Sequence, residues 1–191
     1  MNVKSTSGSS AFESDTLHTV LTFQLERQVY ALPIAPIVQL IEMVSIIPLP
    51  QMHNGIEGLI NVRGTMTPVV SLRHYVGLKK QPWSLHTPII LMRMPGNRMI
   101  GLIVDEVLEV IALHDVPAPP SSFLPTGLQV AQMILGVAYQ NGQTILLLDH
   151  EALFTKAQAQ ALVQATEDAD AEHTGGRENP GGVNVALVAA A

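Results

Sequence analysis

The stretch "GLINVRGTMTPVVSLRHYVGL", residues 58–78, contains an apolar run, a break and a second apolar run. Apolar runs of this length, bounded by glycine, are typical of short β-strands. The break falls at Arg63-Gly64, and glycine tolerates the positive φ that a tight hairpin turn often requires. We therefore predict a strand over 58–62, a turn at Arg63-Gly64 and a second strand over 66–73.

Similar apolar runs separated by turn residues occur on both sides of this hairpin. We predict a hairpin over 19–34 with its turn at Glu26-Arg27, strands over 89–94 and 98–107 around Pro95-Gly96-Asn97, a strand over 109–113, and a hairpin over 133–154 with its turn at Asn141-Gly142. About nine or ten short strands, mostly in hairpins, indicate an all-β, barrel-like protein. This number of strands allows two five-stranded barrels.

Two segments favour short helices instead. Residues 37–44, "IVQLIEMV", follow Pro36, which suits the first turn of a helix. In a helix four apolar side chains of this segment share one face, whereas Gln39 and Glu42 point elsewhere; the four are Ile37, Leu40, Ile41 and Val44. The second predicted helix begins near Asp149, which suits the N-cap position.

The chain of 191 residues fits one domain, or two small halves with a shared core. We expect residues 1–16, which are rich in Ser and Thr, to be disordered, and residues 17–155 to form the domain. Residues 156–191 are expected to be partly helical and then a disordered Ala/Gly-rich tail. There is no cysteine, no signal-peptide pattern and no apolar run of the roughly 18 residues that a membrane span needs. We therefore expect a cytoplasmic protein.

Charge is distributed unevenly along the chain. The net charge of −6 argues against a general nucleic-acid binder, because contacts to phosphates need a basic surface. Residues 59–104 contain no Asp or Glu but six cations, namely Arg63, Arg73, Lys79, Lys80, Arg93 and Arg98; over 105–170 Lys156 is the only Lys or Arg. This pattern is compatible with scattered solvated charge, or with a basic face that meets an acidic partner.

No catalytic or metal-binding motif stands out. The seven histidines form no His-x-x-x-His or His-Glu-x-x-His pattern, and no phosphate-binding glycine loop is present. Asp105 and Glu106 are adjacent in a predicted strand, so they point to opposite faces. We predict no cofactor and no metal, and favour a binding module. The alternatives are a β-barrel nucleic-acid-binding protein, although aromatics make up only 4%, and a hydrolase or metal enzyme that uses distant His and Asp.

Four blocks resemble the CheW-like domain family, in the family's order over roughly residues 19–155. They are "FQLERQVYALPIAPIVQLIEMVSIIPLP", "GIEGLINVRGTMTPVVSLRHYVGL", "GLIVDEVLEV" and "ILGVAYQNGQTILLLDHEALF". The pattern G-x-x-N-x-R-G-x-x-x-P-V at 58–69 is the most specific. The family comprises chemotaxis adaptors and the matching regulatory domain of the histidine kinase CheA. The resemblance implies two intertwined five-stranded SH3-like barrels and a non-catalytic adaptor.

The implied partners are the regulatory domain of a CheA-type histidine kinase and the cytoplasmic tip of a methyl-accepting chemoreceptor, with no nucleic acid. The adaptor would contact the membrane only indirectly, through receptor arrays. A receptor helix hairpin would lie in an apolar groove, because an amphipathic helix binds such a groove by its apolar face.

The resemblance also implies which residues bind. Arg63 lies beside the family's receptor-binding groove, and the planar guanidinium can hold carboxylates or backbone carbonyls. The other matching positions are Gly58, Asn61, Gly64, Ile37, Gln39, Val107 and Val110. As alternatives, Arg63 would be a solvated turn residue, and Val107 and Val110 would belong to the core.

Two positions depart from the family pattern. Gln39 replaces a family acid, and Ser71 replaces a frequent Asp. These departures favour a pilus-linked or otherwise specialised chemosensory system.

Overall fold

The computed structural model describes residues 18–48, 55–114, 116–119 and 133–153. The elements in these ranges are β1 (His18–Leu25), β2 (Gln28–Pro33), β3 (Ile37–Glu42), β4 (Ile56–Val62), β5 (Thr65–Ser71), α1 (Leu72–Tyr75), β6 (Pro88–Met94), β7 (Arg98–Ile103), β8 (Glu106–Leu113), β9 (Ile134–Gln140) and β10 (Gln143–Leu148). The segments predicted as disordered, 1–16, and as a partly helical tail, 156–191, lie outside the described residues.

The strands form two five-stranded sheets. The first sheet has the order β8-β1-β2-β10-β9, and the second has the order β3-β6-β7-β5-β4. The first sheet therefore combines the beginning and the end of the described chain, whereas the second is built from its middle. Each sheet contains one parallel pair, β2 with β10 and β5 with β7, and its other pairs are antiparallel. The all-β prediction with two five-stranded units is confirmed.

A shared core holds the two sheets together. Phe23 and Leu32 of the first sheet belong to the same buried cluster as Ile90 and Met92 of the second and Leu72 of α1. Each sheet also has a smaller apolar cluster of its own. Burying a large apolar side chain completely contributes about 1.5–3 kcal/mol, so the shared cluster is a main source of stability for both sheets.

The predicted hairpin turns are confirmed at Glu26-Arg27, Arg63-Gly64 and Asn141-Gly142. Among the described residues, four other than glycine have a positive φ, namely Glu26, Arg63, Asn97 and Asn141, and each lies in a hairpin turn. Asparagine tolerates this left-handed conformation better than most residues, whereas a long side chain adopts it at a cost. Glu26 and Arg63 are therefore the two positions that need a further explanation.

The predicted helix over 37–44 is wrong, because Ile37–Glu42 form β3 and pair with β6. Over so short an apolar run, the helical and extended patterns cannot be distinguished by periodicity alone. The β-branched side chains of Ile37, Val38 and Ile41 favour the extended form. Pairing with β6 supplies the backbone hydrogen bonds that decide it.

Strand boundaries near α1 and β8 also differ from the prediction. The predicted strand over 66–73 ends at Ser71, and α1 begins at the next residue, Leu72. A Schellman motif closes this helix, in which the Leu78 amide donates to the Arg73 carbonyl at 2.8 Å. The predicted strands 98–107 and 109–113 are divided at Val104-Asp105 instead, because β7 ends at Ile103 and β8 begins at Glu106.

Candidate functional site

An open groove lies where the end of β3 meets the start of β8. It encloses about 370 Å³ and is lined by Leu40, Ile41, Glu42, His86, Pro88, Asp105, Glu106 and Val107. Strands β3 and β8 are edge strands of different sheets. The groove therefore lies at the boundary between the two sheets.

Apolar side chains are exposed along both edge strands. The exposed fractions are 46% for Val38 and 44% for Leu40 on β3, and 39% for Leu108 and 53% for Val110 on β8. The central strands β2, β6 and β7 instead bury most of their apolar side chains. Exposed apolar groups that lie together on a protein surface are typical of an interaction site.

The charged groups around the groove are mainly acidic. Glu42, Asp105 and Glu106 line it, and His86 Nδ1 lies 3.2 Å from Glu42 Oε1. This contact is exposed to solvent on both sides, so it contributes little to stability. The groove thus offers apolar surface with carboxylates at its rim.

Beside the groove, the buried guanidinium of Arg73 joins three segments of the chain. It donates to Glu26 Oε1 at 2.8 Å in the β1–β2 turn, to Asp105 Oδ2 between β7 and β8, and to the Lys79 carbonyl at 2.8 Å. Asp105 Oδ2 also accepts a hydrogen bond from the Glu26 amide at 2.8 Å. This network fixes the start of β8, and it explains the left-handed backbone of Glu26.

Arg73 is therefore not part of a basic face, contrary to the expectation from its neighbours in the sequence. Only 3% of the residue is exposed. Asp105 likewise lies between strands and not within one, so the prediction that it shares a strand with Glu106 is wrong.

The β4–β5 turn presents Arg63 to solvent. Arg63 has φ +53°, and Asn61 Oδ1 accepts a hydrogen bond from the Gly64 amide at 2.7 Å, which closes the turn beneath it. No described residue accepts a hydrogen bond from the Arg63 guanidinium. The N–H donors of the Arg63 guanidinium are therefore available to a partner.

The structure separates the residues predicted to bind. Val107 lines the groove; Gln39 and Val110 are exposed on β3 and β8 without lining it; Asn61, Arg63 and Gly64 lie at the β4–β5 turn. Ile37 lies where β3 begins, next to Pro36, whose carbonyl accepts a hydrogen bond from the Arg93 amide at 2.8 Å. These positions thus extend from the groove to the opposite end of the second sheet.

Gly58 is buried within β4 and has a role in packing. Its φ is +145°, and a Cβ added there would overlap the Ile47 carbonyl oxygen. The neighbouring residue Leu59 forms a bridge with Ile47, which joins the segment after β3 to β4. Gly58 thus allows this close approach of two backbones.

Sequence reasoning missed Leu40, Glu42 and His86 of the groove. The signal available for Leu40 was the apolar run of β3, which the helical interpretation assigned to one face of a helix. The pairing of Arg73 with Asp105 left no local signal, because 31 residues separate the two in the sequence (74–104).

The titratable side chains of the described residues were compared with the needs of a metal site. No group of three or more His, Asp or Glu among them could hold a metal ion, and none of their helices is long and apolar enough to cross a membrane. Burial raises the pKa of Tyr75 to about 12, and burial together with the nearby Glu26 raises the pKa of Tyr30. Both tyrosines therefore stay neutral near pH 7.

Two intertwined sheets with an apolar groove between their edge strands define a protein-interaction module of the all-β class. The model of the CheW-like domain matches residues 19–158, and the chain belongs to this family.

Known relatives agree with this assignment. The chain is 24% identical over 155 residues to the chemotaxis protein CheW of Treponema pallidum, covering 78% of this chain and 89% of the relative. It is 25% identical over 154 residues to the chemotaxis protein CheW of Bacillus subtilis, covering 79% and 96%. The crystal structure of the scaffolding protein TtCheW from Thermoanaerobacter tengcongensis matches with a TM-score of 0.65 and 30% identity, covering 75% of this chain and 96% of that one.

These matches confirm the resemblance seen in the sequence. The chain is a chemotaxis adaptor of the CheW-like family. Nothing in the comparisons supports the nucleic-acid-binding alternative.

Proposed function

We propose that this adaptor joins the cytoplasmic tip of a methyl-accepting chemoreceptor to the regulatory domain of a CheA-type histidine kinase, and that it does so without catalysing a reaction. The observation that carries the proposal is the apolar groove between β3 and β8, within the residues that match the family. Binding to receptors would recruit the adaptor to receptor arrays at the membrane.

The groove suits an α-helical receptor tip. Leu40 and Val107 supply apolar contacts from the two sheets, and the exposed side chains of Val38 and Val110 extend this surface along the strands. A helix that buries its apolar face there removes these groups from water. The network around Arg73 holds the start of β8 in place, so little ordering is needed on binding.

Arg63 would hold the receptor at the β4–β5 turn. Its positive φ belongs to the two-residue β4–β5 turn, which the Asn61–Gly64 hydrogen bond closes, whereas its guanidinium has no partner among the described residues. A carboxylate or a backbone carbonyl of the receptor would supply the missing partner.

Two departures support a specialised array. Gln39 is exposed on β3 and lacks the charge of the family acid, so an ion pair to this position is replaced by at most a hydrogen bond. Ser71 is buried at the N-cap position of α1 but makes no capping hydrogen bond through its side chain. A receptor that matches this chain would not depend on an acid at residue 39.

Titration of the purified chain tests the proposal. The probes are the regulatory domain of each CheA homologue and the cytoplasmic fragment of each chemoreceptor from the same organism. We expect saturable binding to one kinase domain and to at least one receptor fragment. A folded chain that binds none of them would contradict the proposal.

Two variants locate the receptor site. Leu40→Asp places a charge in the groove and is expected to weaken receptor binding about tenfold or more. Tyr139→Asp changes another exposed apolar residue, 76% exposed on β9 at the far edge of the first sheet, and serves as the control. Equal affinities of the two variants would rule out the groove as the receptor site.

A further inference from the structure

The second sheet brings three exposed arginines to one end. Strand β5 is parallel to β7 with Val69 opposite Gly101, and continuing this register to the strand starts places Met66 beside Arg98. The β4–β5 turn therefore lies beside the β6–β7 turn. We call this region, with Arg63, Arg93 and Arg98, the basic end.

The guanidinium groups of the basic end are not neutralised within the described chain. Arg93 Nη1 donates to Asn97 Oδ1 at 3.3 Å, which holds its side chain close to the β6–β7 turn, and all three arginines are exposed. The ion pairs of the described residues involve Arg73, Lys80 and His86, and none involves the basic end.

The groove occupies the other end of the same sheet. Glu42 pairs with Pro88 at the start of β6, whereas Arg93 and Met94 lie at its end. The seven residues of β6 span roughly 20 Å at about 3.3 Å per residue, which is the length of about 13 residues of α-helix. Val38 and Leu40 expose apolar surface along β3 between these ends.

We infer that one receptor helix lies along β3, with carboxylates over Arg98 of the basic end and cations about 13 residues away, near the carboxylates of the groove. Arg98 lies opposite Met94 and therefore on the face of the sheet that carries Leu40, whereas Arg93 is on the other face. This inference rests on the proposed function and adds the orientation and charge pattern of the partner. Complementary charges at the two ends favour one direction of the helix and disfavour the reverse.

A helix with separated charges fits better than a polyanion. Nucleic acid carries negative charge along its whole length, which would meet Glu42 and Glu106 as well as the basic end. Repulsion at the groove and the net charge of −6 both oppose this mode. At physiological salt the Debye length is about 8 Å, so a short acidic segment of the receptor helix interacts mainly with the nearby arginines.

Single charge reversals test the inference on the full chain, with the receptor cytoplasmic fragment as the probe. Arg98→Glu and Glu42→Lys alter the two ends, and Lys79→Glu is the matched control, because Lys79 is exposed and its side chain makes no ion pair within the described residues. We expect Arg98→Glu and Glu42→Lys each to weaken binding about fivefold or more at low salt, with a smaller effect at high salt. Lys79→Glu should remain within about twofold of wild type.

The outcomes separate this inference from the proposed function. If the wild type binds the receptor fragment, Leu40→Asp weakens it and Arg98→Glu behaves like Lys79→Glu, the inference is wrong and the groove site stands. If the wild type binds no receptor fragment, both are overturned. If an oligonucleotide or an anionic vesicle binds with similar affinity and Arg98→Glu abolishes that binding, the basic end is a general polyanion surface and the inference fails.

Discussion

The two ends of the second sheet use arginine in opposite ways. At the groove end, Arg73 is buried and each of its three guanidinium nitrogens donates to a group of the same chain, namely the Lys79 carbonyl, Asp105 or Glu26. At the basic end, Arg63 is exposed, has a left-handed backbone and donates to no described residue. The comparison indicates that Arg73 stabilises the fold that presents the groove, whereas Arg63 is available for a partner.

The largest expected effect is the replacement of Arg73. Arg73→Met keeps the volume but leaves Asp105 and Glu26 without their cation. Breaking a fully buried pair costs about 3–5 kcal/mol, and since both carboxylates are partly exposed we expect a loss of about 2–3 kcal/mol in the free energy of unfolding. Urea denaturation measures this loss.

Arg93→Met is the matched control at the basic end. Its guanidinium has one long hydrogen bond and no ion pair with a described residue, so the free energy of unfolding should change by no more than about 0.5 kcal/mol. If both variants lose the same stability, the distinction between the two ends is wrong.

The second prediction compares two glycines on either side of the β4–β5 turn. Gly58→Ala forces a Cβ against the Ile47 carbonyl at a φ of +145°, and we expect a loss of about 2 kcal/mol or more. Gly64→Ala has no atom within 4 Å of the added Cβ, so only the backbone cost of about 1 kcal/mol applies. Thermal denaturation of both variants checks the order, and a smaller loss for Gly58→Ala would contradict the packing role.

Much of the fold could be predicted because hairpins have local signals. Apolar runs and the turn residues Arg63-Gly64 and Asn141-Gly142 were sufficient to place four strands, β4, β5, β9 and β10. The short apolar run of β3 was misassigned, because its partner β6 begins 46 residues after Glu42 and local periodicity does not contain that pairing.

Less of the candidate site could be predicted from the sequence, because local patterns do not contain the tertiary contacts that form it. Arg63 and Val107 were predicted from the family pattern, but Leu40 and His86 join the groove only through tertiary packing. Arg63 and Arg73 are both cations of one sequence block, and the charge pattern was compatible either with scattered solvated charge or with one basic face. Only the burial of Arg73 beside Asp105 separates their roles.

The third prediction concerns binding through Arg63. Arg63→Glu should weaken binding to the receptor fragment about tenfold, because an attractive contact to a carboxylate or carbonyl becomes repulsive. Its free energy of unfolding should stay within about 0.5 kcal/mol of wild type, since no described residue bonds to this guanidinium. Calorimetric titration measures the affinity and urea denaturation the stability. If a stable Arg63→Glu variant bound the receptor with unchanged affinity, the prediction that Arg63 contacts the receptor would be wrong.

The smallest expected effect is that of Arg63→Asn, a substitution that distinguishes backbone strain at this residue from its role in receptor binding. Asparagine tolerates a φ of +53° better than arginine, so Arg63→Asn should raise the free energy of unfolding by about 0.5 kcal/mol. The same variant lacks the guanidinium and should bind the receptor fragment several-fold more weakly. A gain in stability coupled to a loss of affinity is expected where backbone strain is retained for binding. If Arg63→Asn instead gained stability and kept full affinity, Arg63 would be a solvated turn residue, and the basic end would depend on Arg93 and Arg98 alone.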